Sequence, residues 1–153
     1  MTPIRAVPPY DWNLLLALIQ RAFAGMTGRI DPPSSLHRLT AEGIAQQAED
    51  GEVWVIGVPA VACMFLTLKL GRLYLGKLAV EPELQARGYA KALVNLAEAR
   101  CRVLGLPVLE LETRVELVEN HTVFQRLGFV ESGRKAHEGF DRATSITFGK
   151  QII

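Results

Sequence analysis

Hydrophobic positions along the chain alternate between a period of two and a period of about 3.6, and each switch marks a change of element. Residues 4–7 predict a short strand stopped by Pro8 and Pro9. Asp11 is placed to cap a helix that carries Leu14, Leu15, Leu18, Ile19, Ala22 and Phe23 on one face and ends near Gly25. Residues 28–35 have loop chemistry, and a weaker helix is expected over residues 36–49 on Leu39, Ile44 and Ala48. Residues 52–58 and 60–69, parted at Pro59, predict a hairpin, and residues 73–80 a third strand after a turn at Gly71 and Arg72. From Gly88 the period lengthens: Ala90, Leu93, Val94, Ala97, Cys101 and Leu104 form one helical face until Gly105 and Pro107 stop it. Residues 108–113 alternate Leu109, Leu111 and Thr113 with Glu110 and Glu112, which predicts a strand with one polar face. Asn120 is expected to cap a short helix with Val123, Phe124 and Leu127 inward and Gly128 at its end, and residues 129–131 and 143–148 supply closing strands.

This order, with several antiparallel strands before the first long helix, predicts an α/β fold of the α+β kind. A mixed sheet covered by helices fits it, and a purely parallel doubly wound sheet does not. No repeat or linker divides residues 1–153, so one domain is expected. Hydrophobic residues at 49% and charged residues at 22% exclude disorder. Seventeen Lys and Arg against sixteen Asp and Glu give a formal charge of +1, and without a basic run nucleic acid is not an expected partner. Cys63 and Cys101 sit among apolar residues and outside any Cys-x-x-Cys pair, so buried thiols are expected and no metal. No apolar run approaches the ~20 residues of a membrane span, and residues 1–10 lack a signal-peptide core, so no membrane partner and a cytoplasmic location are the expectations.

The informative stretch runs from the strand residues Leu78, Ala79 and Val80 through Gln85, Ala86, Arg87, Gly88, Tyr89 and Ala90 into the long helix. A strand, a tight loop and a helix N-terminus present unpartnered N–H groups and a partial positive charge, which suit a pyrophosphate. Gly88 permits close approach, and Arg87 and Gln85 add charge or hydrogen bonds.

The run Gln85-Ala86-Arg87-Gly88-Tyr89-Ala90 resembles the Q/R-x-x-G-x-G/A signature of the GNAT superfamily of N-acetyltransferases, and the segment from Asn120 through Phe124 to Leu127-Gly128-Phe129 is similar to its second cofactor segment. The resemblance implies a GNAT-like, mostly antiparallel sheet of about six to seven strands under about four helices. It also implies a splayed pair formed by the strands at 73–80 and 108–114. Acetyl-CoA would lie with its pyrophosphate on the amides of Gln85 to Ala90, its pantetheine along Leu78, Ala79 and Val80, and its thiol arm flanked by Asn120 and Phe124. N–H groups near Leu78 to Val80 would polarise the thioester carbonyl.

The activity implied is acetyl transfer to a primary amine of a small molecule or amino-acid-like acceptor; an acyl-CoA-binding module with little catalysis and a peptide acetyltransferase are the alternatives. An ammonium acceptor must lose a proton. Glu112, on the polar face of its strand, is the leading base candidate, with His121 and His137 behind it. Many family members have a tyrosine where this chain has Phe124, which cannot donate a proton. Residues 28–35 and 135–142 are plausible acceptor walls. Ile146, Phe148, Ile152 and Ile153 either form a homodimer face or lie inside.

Overall fold

The computed structural model describes residues 2–153. Seven strands form one sheet in the order β1-β2-β3-β4-β5-β7-β6: β1 (Ile4–Arg5), β2 (Glu52–Ile56), β3 (Ala62–Lys69), β4 (Arg72–Val80), β5 (Val108–Arg114), β6 (Val130–Lys135) and β7 (Ser145–Gln151). Every neighbouring pair is antiparallel except β4 with β5, which run parallel because a helix carries the chain between them. Helices α1 (Trp12–Phe23), α2 (Ala41–Asp50), α3 (Tyr89–Leu104) and α4 (Val118–Arg126) cover the sheet.

The strand alternation sorts the core into two layers. Val53, Val55, Cys63, Phe65 and Ala79 pack with Leu15, Leu18, Ile19 and Ile44 from α1 and α2. Met64, Leu66, Leu73, Leu75, Leu109, Leu111, Ile146 and Phe148 pack with Leu93, Val94, Ala97 and Cys101 from α3. Ile146 and Phe148 are therefore internal. No helix among the described residues is long and apolar enough to cross a membrane.

Five local expectations change. Leu14, assigned to the inner face of α1, is 56% exposed, because the face is narrower and centres on Leu15, Leu18 and Ile19. The helix expected over 36–49 is two pieces: a 3-10 turn at Ser35–Arg38, then α2. The break falls at Leu39, because the Thr40 hydroxyl caps α2 by accepting the Gly43 N–H at 3.0 Å. Asn120 does not cap α4. The helix begins earlier, with Leu117 at the cap position, and the Asn120 amide instead donates to Thr113 Oγ1 at 3.4 Å. Val123 is 45% exposed, and the inward contacts of α4 come from Phe124 and Leu127. The closing strands run further than their apolar residues, since ladder hydrogen bonds to β7 carry β6 through polar residues to Lys135.

Candidate active site

β4 and β5 pair only at Arg72↔Val108, Leu73↔Leu109 and Tyr74↔Glu110, and beyond Tyr74 the edge of β4 that faces β5 has no strand partner. A bulge accompanies the parting. Cys63 pairs with Ala79 and Phe65 with Gly76, so Lys77 and Leu78 together stand opposite Met64. Lys77 takes φ +49° to make the bulge, a left-handed conformation that costs a non-glycine residue strain.

The gap opens a cavity of about 510 Å³ that passes through the sheet. On the α3/α4 side it is lined by Leu78, Leu111, Thr113, Asn120 and Phe124. On the α1/α2 side it is lined by Thr67, Tyr74, Lys77, Glu112 and Arg114 and walled by Met26, Pro33, Ser34, Leu36 and Arg38. Contacts to the start of α4 hold that wall in place. Arg29 forms a two-bond pair with Glu119 (2.6 and 3.0 Å), the Asp31 N–H donates to Glu116 Oε2 at 3.0 Å, and Arg114 donates to the carbonyls of Pro32 and Pro33 at 2.7 and 3.2 Å. The Arg29 guanidinium holds the Glu119 carboxyl down at about 2. Of the two expected acceptor walls, 28–35 contributes Pro33, Ser34 and Ser35, and 135–142 contributes His137.

Past Val80 the chain turns through Pro82–Leu84 and enters α3 with Ala86 at φ +64° and Gly88 at φ +89°. A Cβ built on Gly88 meets nothing within 4 Å, so the loop is open where it meets the helix. No N–H from Gln85 to Lys91 donates to another backbone group or to a side chain among the described residues; the first helical bond is Ala92 N–H to Gly88 C=O at 3.0 Å. Arg87 is exposed and unpaired, whereas Gln85 donates weakly to the Val80 carbonyl at 3.5 Å. Tyr89 and Ala90 are half-buried at the helix start. Ala79 differs from its neighbours: its side chain is buried under α1, so only its backbone faces the gap. Phe124 reaches the cavity edge-on to Phe129, with ring centres 6.1 Å apart.

The three base candidates separate. Glu112 lines the cavity half-buried, with Lys135 Nζ 2.5 Å from its Oε1. His121 lies outside it, its Nε2 3.0 Å from the Arg114 carbonyl and so committed as a donor. His137 lines it, with Nδ1 against Thr144 Oγ1. The Thr144 hydroxyl lies 3.3 Å from the Lys135 carbonyl and accepts the His137 backbone N–H (2.9 Å), and the tautomer that satisfies all three contacts has the proton on Nδ1 and the lone pair on Nε2. Desolvation and the nearby Arg114 lower the His137 pKa, so the ring is neutral near pH 7.

Tyr74, Lys77, Arg38 and Arg114 were not legible as site residues. Tyr74 and Lys77 fall in a strand that reads as apolar, and Arg38 in a segment that reads as helical surface. Their meeting depends on the splay. Burial, then Glu112 and Glu110, raises the Tyr74 pKa, so its hydroxyl keeps its proton. Burial lowers the Lys77 pKa.

Similar folds are found among solved structures. The ribosomal-protein-S18-alanine N-acetyltransferase from Escherichia coli superposes with TM-score 0.73 at 18% identity, over 99% of this chain and 94% of that one. A GNAT-family acetyltransferase from Staphylococcus aureus Mu50 gives 0.76 at 17%, over 99% of both. The PaiA N-acetyltransferase from Thermoplasma acidophilum, determined in complex with coenzyme A, gives 0.78 at 13%, over 99% of both. No curated protein matches the sequence significantly. The sequence model of the acetyltransferase (GNAT) family matches residues 13–129, which span the bulged strand, the loop into α3, the splay and α4; on that match the chain is an acetyltransferase of the GNAT family.

Proposed function

We propose that the protein transfers an acetyl group from acetyl-CoA directly to the primary amine of a small-molecule or amino-acid-like acceptor. The observation that carries the reading is the through-sheet cavity at the splay, with the unpartnered N–H groups of Gln85 to Lys91 on the loop that continues β4. The free amides and positive end of the 16-residue α3 match the charge of a pyrophosphate. The unpaired edge of β4 beyond Tyr74 offers hydrogen bonds to an extended pantetheine arm, and Phe124 and Leu78 give its thiol end an apolar wall.

When bound, the thioester supplies an electrophilic acyl carbon next to a good leaving group. The protein supplies position, charge stabilisation and a route for the proton. An amine with pKa near 10.4 costs about 4–5 kcal/mol to hold neutral at pH 7. Glu112 and His137 are the two groups in the cavity placed to accept that proton, His137 through Nε2 and Glu112 through the carboxylate that pairs with Lys135. N–H groups on the free edge of β4 stabilise negative charge on the thioester oxygen.

The departing thiolate meets Phe124, which has no proton to give; with a thiol pKa near 8.5 the thiolate leaves unaided or takes its proton from water. Phe124 also motivates a second reading, a module that binds acyl-CoA without efficient turnover. Calorimetric binding of acetyl-CoA, followed by thiol-release assays on a broad panel of amines, tests both. Saturable binding with amine-dependent release of CoA is the expected result. Binding without release overturns the transferase in favour of the module, and absence of binding overturns both.

A further inference from the structure

The acceptor side of the cavity has a charge that its own residues leave unbalanced. The ammonium of Lys77, on the floor, makes no hydrogen bond or ion pair with any described residue, although the residue is half-buried. Arg38, on the opposite wall, has no partner either. Arg114 donates to the neutral carbonyls of Pro32 and Pro33 and has the Glu116 and Asp31 carboxylates near it, so the uncompensated charges are those of Lys77 and Arg38. The carboxylate lining this side is Glu112, and Lys135 already neutralises it at 2.5 Å. Glu110, next along the same strand face, is held by Arg72 at 3.0 Å. A half-buried ammonium without a counter-ion is costly, and an arriving anion removes that cost. Its lowered pKa is the same effect seen from the proton side. The bulge that gives Lys77 its φ of +49° is also what turns its side chain into the gap.

We infer that the acceptor carries a carboxylate beside its amine, and that Lys77 and Arg38 hold it on the α1/α2 side of the cavity. The inference rests on the transferase reading and narrows it. Free amino acids satisfy it, whereas the N-terminus of a peptide does not, because its first carboxyl is an amide. Phe23, Met26, Leu36 and Phe65 form an apolar patch on the same side, beside Ser34, Ser35 and Gln47, and that patch suits the hydrocarbon part of an acceptor's side chain.

The test uses matched pairs, phenylalanine, leucine and glycine each against its carboxamide, as acceptors for the wild type, Lys77→Met, Lys77→Arg and the exposed-site variant Arg38→Gln, with thermal melts confirming that each folds. The expected result is a preference for the acid of about 10- to 100-fold in kcat/KM, seen in KM, lost in Lys77→Met, reduced in Arg38→Gln and largely kept in Lys77→Arg. Equal use of acid and amide overturns the inference and leaves the transferase standing. Calorimetry with N-acetylphenylalanine and its amide gives a readout free of turnover. Acid-selective binding lost in Lys77→Met supports the carboxylate site even where no amine is acetylated, the outcome that sinks the transferase alone. Binding without selectivity overturns the site.

Discussion

Replacing Gly88 with glutamate tests the proposed phosphate cradle, because the structure separates the cost to folding from the cost to binding. Gly88 sits at φ +89°, ψ 2°, where an L-residue pays roughly 1–2 kcal/mol of backbone strain. A Cβ there meets no neighbour within 4 Å, so no clash at the Cβ adds to it. At 2–4 °C per kcal/mol for a domain of this size, the melting temperature should fall by about 2–8 °C, and Gly88→Ala should fall by a similar amount. The electrostatic cost belongs to the glutamate alone. A carboxylate about 6 Å from a pyrophosphate of charge about −2, at an effective dielectric of roughly 40 to 80, is repelled by about 1.5–3 kcal/mol, or about 10- to 150-fold in Kd. Calorimetry of acetyl-CoA with the three proteins, at equal ionic strength, should place Gly88→Ala near wild type and Gly88→Glu weaker by at least that factor. Raising salt should narrow the difference, since the loop is exposed. A folded Gly88→Glu protein that binds acetyl-CoA as tightly as wild type would refute the cradle and return the loop to a plain turn.

Other expectations follow from single contacts. Glu112→Gln and His137→Gln should each be assayed for kcat: the true base loses about 10²- to 10⁴-fold with little change in melting temperature, and a variant with unchanged kcat removes its residue from the reaction. Leu111 is 2% exposed beside the cavity, so Leu111→Ala should lose about 2–5 kcal/mol in urea unfolding, and a loss below 1 kcal/mol would contradict its place in the core. Glu52, with a side chain 5% exposed, accepts from Arg100 at 2.6 and 2.9 Å and from Trp54 Nε1 at 2.8 Å. Desolvation pushes its pKa up, but these donors outweigh it and leave the pKa lowered. Its contribution is therefore complete at neutral pH and is lost as pH falls from the ordinary glutamate range through the lower folded value; Glu52→Gln should flatten that acid limb of the stability curve, and an unchanged limb would refute the assignment. Both thiols are buried, with pKa values pushed up to about 12 for Cys63 and about 11 for Cys101, so native protein should give no fast reaction with an aromatic disulfide reagent until it is unfolded.

Much of this arrangement could be read one residue after another. The period-two runs of β2 to β5, the 3.6 period of α3 and the glycine before it are local signals, because burial on one face of a strand or helix leaves its mark every second or every third and fourth residue. The resemblance of Gln85 to Ala90 to a family motif was legible for a related reason. A loop that receives a phosphate on its own amides needs little beyond its neighbours in sequence. Where two local signals compete, one alone shapes the structure: the Thr40 cap overrides the periodicity of 36–49, and the turn at Leu117 starts α4 before Asn120.

What the sequence by itself determined is the order of elements, their inner faces and the position of the loop that enters α3. Only the tertiary structure decided what meets across the gap. The bulge opposite Met64 turns Lys77 into the cavity, and the clasp at Arg29, Asp31 and Arg114 brings Arg38 over it. Thr144, on the approach to β7, selects the tautomer of His137. These residues are far apart in the chain and share no period, so their common charge and chemistry come into being only when the strands part and the loops close over them.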